Sequence, residues 1–306
     1  MPQLSFATVD VFTTTRFAGN PLAIVRIPKG HEVRMEQMQT IAREFNLSET
    51  VFLHEHDHDD SRPPEWRVRI FMTDAELPFA GHPTIGTACY TLSTLAHHHA
   101  SRGRLVCNAG PVELEYEHGV ATASIPHNVH IHRQSPFTEE QVYRLQPSLK
   151  QTGKLKAIDV VSPVKGMNFV CVELPDLRAL SVVETPGMKP QPRLDEGWDT
   201  GFAGSYFYVV DSTSVQSGSS VKVRTRMIEG ALEDPATGSA ACALSALLAM
   251  KDARRSVHFE ITQGVEMGRQ SEIGVTITLQ PGLKDVEKIE LSGSAVKVME
   301  GLIDYD

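Results

Sequence analysis

The sequence predicts an α+β fold made of two similar domains, and three observations support this prediction. The chain has 306 residues, which is enough for two domains of ordinary size. Short segments with the alternating pattern of β-strands occur throughout both halves. Each half also contains one helix-like segment made of small residues. We therefore expect two α+β domains related by an internal repeat.

The repeat is clearest at the two small-residue helices. Residues 83–88 read P-x-x-G-T-A and residues 235–240 read P-x-x-G-S-A, about half the chain apart. A glycine follows each helix at nearly the same distance, at Gly110 and Gly264. Chance similarity between two helices rich in Ala, Gly and Ser is the alternative, but the maintained spacing favours a true repeat. A cleft between two such halves is a natural place for a ligand.

In the first half, alternation predicts several strands around two helices. The first helix has apolar residues with helical spacing from Met35 to Phe45, and Asn46 is in place to end it. The second is the small-residue helix at 84–95. The expected strands lie at residues 4–12, 22–27, 50–53, 66–72, 103–107, 112–116 and 120–125.

In the second half, the same alternation predicts strands around one long helix at 237–250. A change to Pro, His and Asn after Ile125 suggests a domain boundary. The polar stretch at 184–201 is expected to be a mobile connection. The expected strands lie at residues 157–161, 169–174, 206–210, 221–228, 257–261 and 273–279.

Composition excludes several classes of protein. The formal net charge is −9, which argues against nucleic acid as a partner, because such binding depends on neutralising phosphates. No apolar run reaches the roughly 18–20 residues of a membrane span, and the first residues lack the pattern of a secretory signal. None of the four cysteines forms a C-x-x-C pair. We therefore expect a cytoplasmic protein with reduced thiols and no membrane association.

Both small-residue helices begin after a proline turn with glycine and hydroxyl residues. Such a helix start presents unpaired N–H groups and the positive end of the helix dipole, so it suits a small anion such as a carboxylate. Close packing of buried helices is the alternative explanation for the small residues, and both are expected to hold. Titratable residues lie near the two starts: His82, Glu233 and Asp234, with Glu49 in a turn. Asp234 could equally be a helix cap.

The sequence resembles a known family, the phenazine-biosynthesis isomerases, also called PhzF-like. The resemblance covers nearly the whole chain. It rests on D-V-F-T at 10–13, G-N-P-L-A at 19–23, N-L-S-E-T-V-F at 46–52, E-L-P-F-A-G-H-P-T-I-G-T-A at 76–88, E-D-P-A-T-G-S-A at 233–240, Q-G at 263–264 and G-R-Q-S at 268–271.

The resemblance implies the diaminopimelate-epimerase-like fold, with two pseudo-symmetric domains, each a β-sheet wrapped around a central helix, and an active site in the cleft between them. It implies an N-terminal domain of residues 1–128 plus 295–306 and a C-terminal domain of residues 129–294. It also implies a homodimer.

The resemblance further implies a cofactor-independent isomerase that moves a carbon-bound proton on a small, possibly cyclic, carboxylate. Glu49 stands where the family has its proton-transferring glutamate, and the implied catalytic set is Glu49, His82, Asp234 and Ser239. The implied substrate-binding set is Ser48, Gly81, Thr84, Thr237 and Gly238. General acid–base chemistry of this kind needs no cofactor, and no nucleotide-binding glycine motif follows a strand. A raised pKa would help Glu49 to act near neutral pH.

Three other interpretations stay open at this stage. Related racemases use two cysteines, but their positions match Ala80 and Pro235, and Cys89 and Cys242 are expected to be buried within helices. The alternating His and carboxylate run at 54–60, with the histidines at 97–99, could hold a transition metal, although an exposed acidic loop is the simpler explanation and no metal site is predicted. A protein that binds a small carboxylate without turning it over would keep the same residues.

Overall fold

The structure, a computed structural model, describes residues 2–55, 63–96, 101–134, 136–198, 201–217 and 220–305. The chain divides into two compact units, Met1–Pro126 with Leu291–Asp306, and His127–Glu290. No helix among the described residues is long and apolar enough to cross a membrane.

The first unit has two helices, α1 (Met35–Phe45) and α2 (Gly81–Tyr90). A π-helical turn, Thr91–Leu95, extends α2. The strands are β1 (Gln3–Val11), β2 (Asn20–Ile27), β3 (Thr50–His54), β4 (Glu65–Phe71), β5 (Glu76–Leu77), β6 (Arg102–Cys107), β7 (Gly110–Glu117) and β8 (Val120–Ser124).

The second unit contains three short helices and one long one. The helices are α3 (Glu139–Leu145), α4 (Leu177–Ser181), α5 (Ser212–Ser217) and α6 (Gly238–Asp252), with a 3-10 turn at Pro147–Gln151. The strands are β9 (His130–His132), β10 (Ala157–Val164), β11 (Met167–Glu173), β12 (Phe202–Val210), β13 (Val221–Glu229), β14 (Leu232–Asp234), β15 (Ser256–Gln263) and β16 (Ser271–Leu279). The strand β17 (Val286–Gly293) contains the boundary of the units, and β18 (Ala295–Asp304) ends the chain in the first unit.

The strand pairings repeat from one unit to the other. In the first unit β1 is antiparallel to β2, β2 is parallel to β3 across α1, β3 is antiparallel to β4, and β4 is parallel to β6 across α2. In the second unit β10, β11, β12, β13 and β15 make the same series of pairings across α4 and α6. The predicted pair of similar α+β domains is confirmed by this shared topology.

The C-terminal strand completes the first unit. In the second unit β9 is antiparallel to β10, and in the first unit β18 is antiparallel to β1 over the whole length of β1. The last strand of the chain therefore has the position beside β1 that β9 has beside β10.

The central helices are buried on all sides. All ten residues of α2 are buried, and ten of the fifteen residues of α6 are. A helix that is apolar or small-faced all round belongs in a protein interior. Helix α2 contacts β1, β2, β8 and β18, whereas α6 contacts β10, β15 and β16. Each unit is thus a sheet wrapped around one helix, as the resemblance implied.

Gly86 sets the distance between α2 and its sheet. A Cβ atom at this position would lie 2.6 Å from Val11 Cγ2 and 2.7 Å from Leu22 Cδ2, and both of these side chains are fully buried. No carbon fits at these distances without movement of the helix or the strands. The close approach expected from the small residues of this helix is therefore present at Gly86.

We expect Gly86→Ala to lower the melting temperature, although alanine is the better helix former. The gain in helix propensity is about 1 kcal/mol, whereas overpacking a tight core costs about 1–3 kcal/mol. Calorimetric melting would measure the shift. Gly282→Ala is the matched control, because a Cβ atom there would meet nothing within 4 Å. Equal melting temperatures for the two variants would contradict the packing argument.

Each unit contains one Arg–Glu ion pair at an equivalent position, and the sequence did not predict either pair. The Arg69 guanidinium donates to both Glu76 carboxylate oxygens at 2.7 Å, across β4 and β5. The Arg226 guanidinium donates to Glu233 at 2.8 and 2.7 Å, across β13 and β14. Paired, bidentate contacts of this kind fix geometry strongly. Each pair therefore holds the hairpin that leads into the central helix of its unit.

The elements differ from the predictions mainly where they are short or polar. Helix α2 begins three residues earlier than expected, because residues 81–83 already form its first turn. The short strands β5, β9 and β14 and the strands β17 and β18 were not predicted. Helix α3 was also missed, although its capping box was visible: Gln141 N donates to Thr138 Oγ1, and Thr138 N donates to Gln141 Oε1.

The polar stretch expected to be a mobile connection is anchored over residues 184–195. Gln146 exchanges two hydrogen bonds with the backbone of Glu184, at 2.6 and 2.8 Å. The Asp195 carboxylate accepts the backbone N–H groups of Arg133 and Gln134. A polar composition suggested mobility, but these polar groups bind the body of the second unit. Residues 199–200, also in this stretch, lie outside the described residues.

Candidate active site

The first unit brings Glu49 and His82 together. Glu49 lies in the turn between α1 and β3, and His82 is the second residue of α2. Asn46 ends α1 in the left-handed conformation, with φ of 51°, as predicted from the sequence, and so directs the chain into this turn. Glu49 Oε2 lies 3.0 Å from His82 Nδ1. Only 4% of the His82 side chain and 18% of the Glu49 side chain are exposed.

The pKa of Glu49 lies below its ordinary value, which corrects the expectation of a raised pKa. Burial acts to raise the pKa, but the nearby His82 ring and the Ser48 hydroxyl lower it by more. A hydrogen bond or a positive neighbour favours the charged form of a carboxyl group. Glu49 is therefore a carboxylate near neutral pH, ready to accept a proton.

One nitrogen of the His82 ring has no hydrogen-bond partner among the described residues. Its Nδ1 faces the Glu49 carboxylate, which can only accept a hydrogen bond, so Nδ1 carries a proton. Its Nε2 is buried and makes no hydrogen bond within the described part of the chain. A buried polar atom without a partner is uncommon and needs an explanation. A ligand atom could supply the missing partner.

Helix α2 begins without a capping side chain. Its N-cap residue is Ala80, which has no side-chain acceptor, so the first N–H groups of the helix remain for other partners. Gly81 is the first residue of the helix and is buried. The Thr84 hydroxyl donates to Ala80 O at 2.7 Å, so its proton is already used within the turn. Ser48 is exposed beside Glu49.

In the second unit, Asp234 and Thr237 are hydrogen-bonded to each other. The Thr237 hydroxyl donates to Asp234 Oδ2 at 2.6 Å. Helix α6 begins at Gly238 with Thr237 as the N-cap, and the Thr237 side chain makes no capping hydrogen bond. Asp234 therefore lies ahead of the helix and is not its cap residue. Ser239 lies half-buried in the first turn of α6.

The sequence did not predict a role for two buried residues near Asp234, Gln263 and Tyr206. Gln263 is fully buried and donates through Nε2 to Asp234 O at 2.7 Å and to Thr237 Oγ1 at 3.1 Å. The Tyr206 hydroxyl lies 3.0 Å from Gln263 Oε1. The Q-G pair at 263–264 was visible as part of the family pattern, but its contacts join distant parts of the sequence.

The cysteines do not form a thiol site. Cys89 and Cys242 are buried, as predicted, and burial raises the pKa of each thiol to about 12. A thiol with such a pKa is protonated at neutral pH and is a poor base. All four cysteines are free.

One cluster in the described residues has the composition of a metal site: His130, His132 and Asp195, with donor atoms within 4.8 Å. His132 Nδ1 accepts the backbone N–H of Asp195, and His132 Nε2 lies 2.8 Å from Ser162 Oγ. Both ring nitrogens are therefore in use, and too few donors remain for the three or four protein ligands of a typical zinc site. Of the other metal candidates, residues 56–60 and 97–99 lie outside the described residues.

The topology of the two units defines the class of fold, which is the diaminopimelate-epimerase-like fold. The crystal structure of a phenazine biosynthesis protein of the PhzF family from Bacillus anthracis has the same fold. It covers 99% of this chain and 100% of its own, with a TM-score of 0.79 and 21% identity.

The chain belongs to the family of phenazine biosynthesis-like proteins, which it matches over residues 9–301. An uncharacterized isomerase of Mesorhizobium japonicum is 32% identical, over 98% of this chain and 99% of its own. The trans-2,3-dihydro-3-hydroxyanthranilate isomerase of Pseudomonas chlororaphis is also 32% identical, over 97% and 98%. The protein is accordingly an isomerase.

Proposed function

We propose that the protein moves a carbon-bound proton on a small cyclic carboxylate related to trans-2,3-dihydro-3-hydroxyanthranilate. The relative from Pseudomonas chlororaphis is named for that substrate. The observation that carries the proposal is the Glu49–His82 pair, with its short contact and the unpartnered, buried Nε2 of the ring.

Glu49 is the proposed acid–base group. Its carboxylate takes the proton from one carbon, and the electron pair of that C–H bond moves into the π system of the substrate. The protonated Glu49, whose carboxyl proton exchanges with solvent, then gives a proton to a second carbon, which restores the carboxylate. The carboxylate is ionised before the reaction because His82 and Ser48 lower the pKa of Glu49. No cofactor is needed for these two transfers.

The remaining residues of the proposed site bind and orient the substrate. The uncapped starts of α2 and α6, at Gly81 and Gly238, offer backbone N–H groups to the substrate carboxylate. His82 and Asp234 would balance charge as the proton moves, and Ser239 would hold the ligand. Ser48, Thr84 and Thr237 complete the proposed binding set.

Proton exchange with solvent tests the proposed function. The wild-type protein is incubated with trans-2,3-dihydro-3-hydroxyanthranilate in D₂O, and the ligand is followed by NMR while binding is measured by calorimetry. We expect binding together with isomerised, carbon-deuterated product. Binding without isomerisation or deuterium at carbon would instead identify a non-catalytic carboxylate-binding protein.

We also propose a cytoplasmic homodimer. The family resemblance supports the dimer, and the four free cysteines fit a reducing compartment. Sedimentation equilibrium at micromolar concentration should give twice the 33.7 kDa chain mass. A species of 33.7 kDa would refute the dimer.

A further inference from the structure

A buried set of hydrogen bonds lies behind Asp234 in the second unit. We call it the Gln263 network, and it consists of Tyr206, Thr225, Gln263 and Thr237. Tyr206, Thr225 and Gln263 are fully buried, and 8% of Thr237 is exposed. The Tyr206 hydroxyl lies 3.0 Å from both Thr225 Oγ1 and Gln263 Oε1. The proposed function places Thr237 in the binding set and gives no role to Tyr206, Thr225 or Gln263.

The network has a defined direction. Burial raises the pKa of Tyr206, so its hydroxyl is protonated and can donate to Gln263 Oε1. The backbone oxygen of Asp234 can only accept a hydrogen bond, so the amide nitrogen of Gln263 faces it and Thr237 Oγ1. The amide oxygen therefore faces Tyr206 and the Thr237 backbone N–H. Because Thr237 Oγ1 accepts a hydrogen bond from Gln263 Nε2, its own hydroxyl proton is directed to Asp234 Oδ2, at 2.6 Å.

The internal repeat indicates that the Gln263 network has a role besides stabilising the fold of the second unit. The Gly that follows each central helix aligns Gln263 with Ala109 of the first unit. There, the backbone N–H of Ala109 reaches Pro78 O at 3.0 Å, so a backbone bond holds the corresponding segment. The same fold thus forms without a side-chain amide at the aligned position, although the neighbouring Asn108 amide donates to Glu76 Oε1. The amide is present in the unit that contains Asp234.

We propose that Gln263 is a positioning residue, which acts through the Thr237 hydroxyl to hold the Asp234 carboxylate in one orientation. This inference rests on the proposed function, in which Asp234 balances charge as the proton moves. Loss of the amide frees the Thr237 hydroxyl to rotate, so Asp234 Oδ2 loses a donor held at 2.6 Å, while the longer contact of Ala236 N–H with Oδ1 remains. Misplacement of a reacting group lowers kcat more than it lowers ligand affinity.

Gln263→Met tests the inference, because methionine has nearly the same length and no hydrogen-bonding amide. We expect kcat to fall about 10- to 100-fold with KM changed by less than about threefold. Tyr206→Phe is the milder second variant, which leaves Gln263 in place and removes only the donor to its oxygen. It should lower kcat in the same direction by a smaller factor. Wild-type kcat in a folded Gln263→Met, or in Tyr206→Phe, would overturn the inference.

Gln146→Met is the matched control for the loss of a buried glutamine. Gln146 is also buried in the second unit, but its side-chain amide exchanges hydrogen bonds with the backbone of Glu184. This variant should lose thermal stability and keep the wild-type kcat. An equal loss of kcat in Gln146→Met and Gln263→Met would show a general effect of destabilisation and overturn the positioning role.

A double-mutant cycle with Thr237→Val tests the route of the effect. If Gln263 acts through the Thr237 hydroxyl, then Gln263→Met should cause little further loss of kcat in the Thr237→Val background. Fully additive losses would contradict this route.

The variant Asp234→Asn distinguishes a failure of the proposed function from a failure of the positioning role of Gln263. Wild-type turnover in Asp234→Asn would refute the proposed role of Asp234, whereas loss there with wild-type Gln263→Met would refute the positioning role alone.

Discussion

Glu49→Gln is expected to lose about 10²–10⁴-fold in kcat while its affinity for the substrate stays near that of the wild type. The range is that of a general acid–base group in other enzymes. Glutamine has the size of glutamate and can still face His82, but it cannot accept a carbon-bound proton. Steady-state kinetics would give kcat, and isothermal titration calorimetry would give the dissociation constant.

Glu44→Gln provides the control for this substitution. Glu44 is an exposed residue of α1, five positions before Glu49, and lies outside the proposed site. It should keep the wild-type kcat. Glu49→Gln with normal turnover would contradict the assignment of Glu49. Equal losses of turnover and binding would instead make Glu49 a binding residue.

His82→Ala is expected to move the acidic limb of the rate profile to higher pH. Glu49 must be ionised to accept a proton, so activity falls as the pH drops through its pKa. In the wild-type protein the His82 ring holds this pKa below the ordinary value, against the effect of burial. Without the ring, burial is the largest remaining influence, and it favours the neutral acid. The pH dependence of kcat/KM would measure the shift.

Ser48→Ala should shift the same limb in the same direction by less, since its hydrogen bond is the smallest of the influences on Glu49. Identical acidic limbs in the wild-type and His82→Ala proteins would mean that His82 does not control the ionisation of Glu49. A shift to lower pH in His82→Ala would reverse the electrostatic account.

Local sequence patterns were sufficient to predict the elements that position Glu49. The apolar spacing from Met35 to Phe45 and the asparagine after it predicted both the helix and its end. Alternation predicted the strand that begins at Thr50. These features depend on neighbours within a few residues, so the sequence contains their causes directly. The internal repeat also predicted the shared topology of the two units.

Contacts between distant residues were not predictable in the same way. Arg226 and Glu233 face each other because β13 and β14 form a hairpin, and the alternating pattern of either strand alone does not reveal the partner. Gln263 meets Tyr206 across 57 positions of sequence, through the fold of the second unit. Long-range register determines such pairs, and single-sequence patterns do not specify it.

The direction of the Glu49 pKa shift also depends on a contact between distant residues, so it was not predictable from the sequence. Burial alone would raise the pKa, as the sequence argument assumed, but a 3.0 Å contact with His82 reverses the outcome. Whether desolvation or a charged neighbour dominates depends on a distance, because Coulomb interactions fall with separation. The presence of both residue types was visible in the sequence, and their separation was not.

The central claim is that Glu49, and no thiol, transfers the proton. The most direct measurement compares deuterium incorporation from D₂O into the substrate by Glu49→Gln and by Cys242→Ala, under conditions that saturate both with ligand. Cys242 lies buried inside α6. We expect the wild-type exchange rate in Cys242→Ala and almost none in Glu49→Gln. Normal exchange in Glu49→Gln with loss of exchange in Cys242→Ala would contradict the account and indicate thiol chemistry.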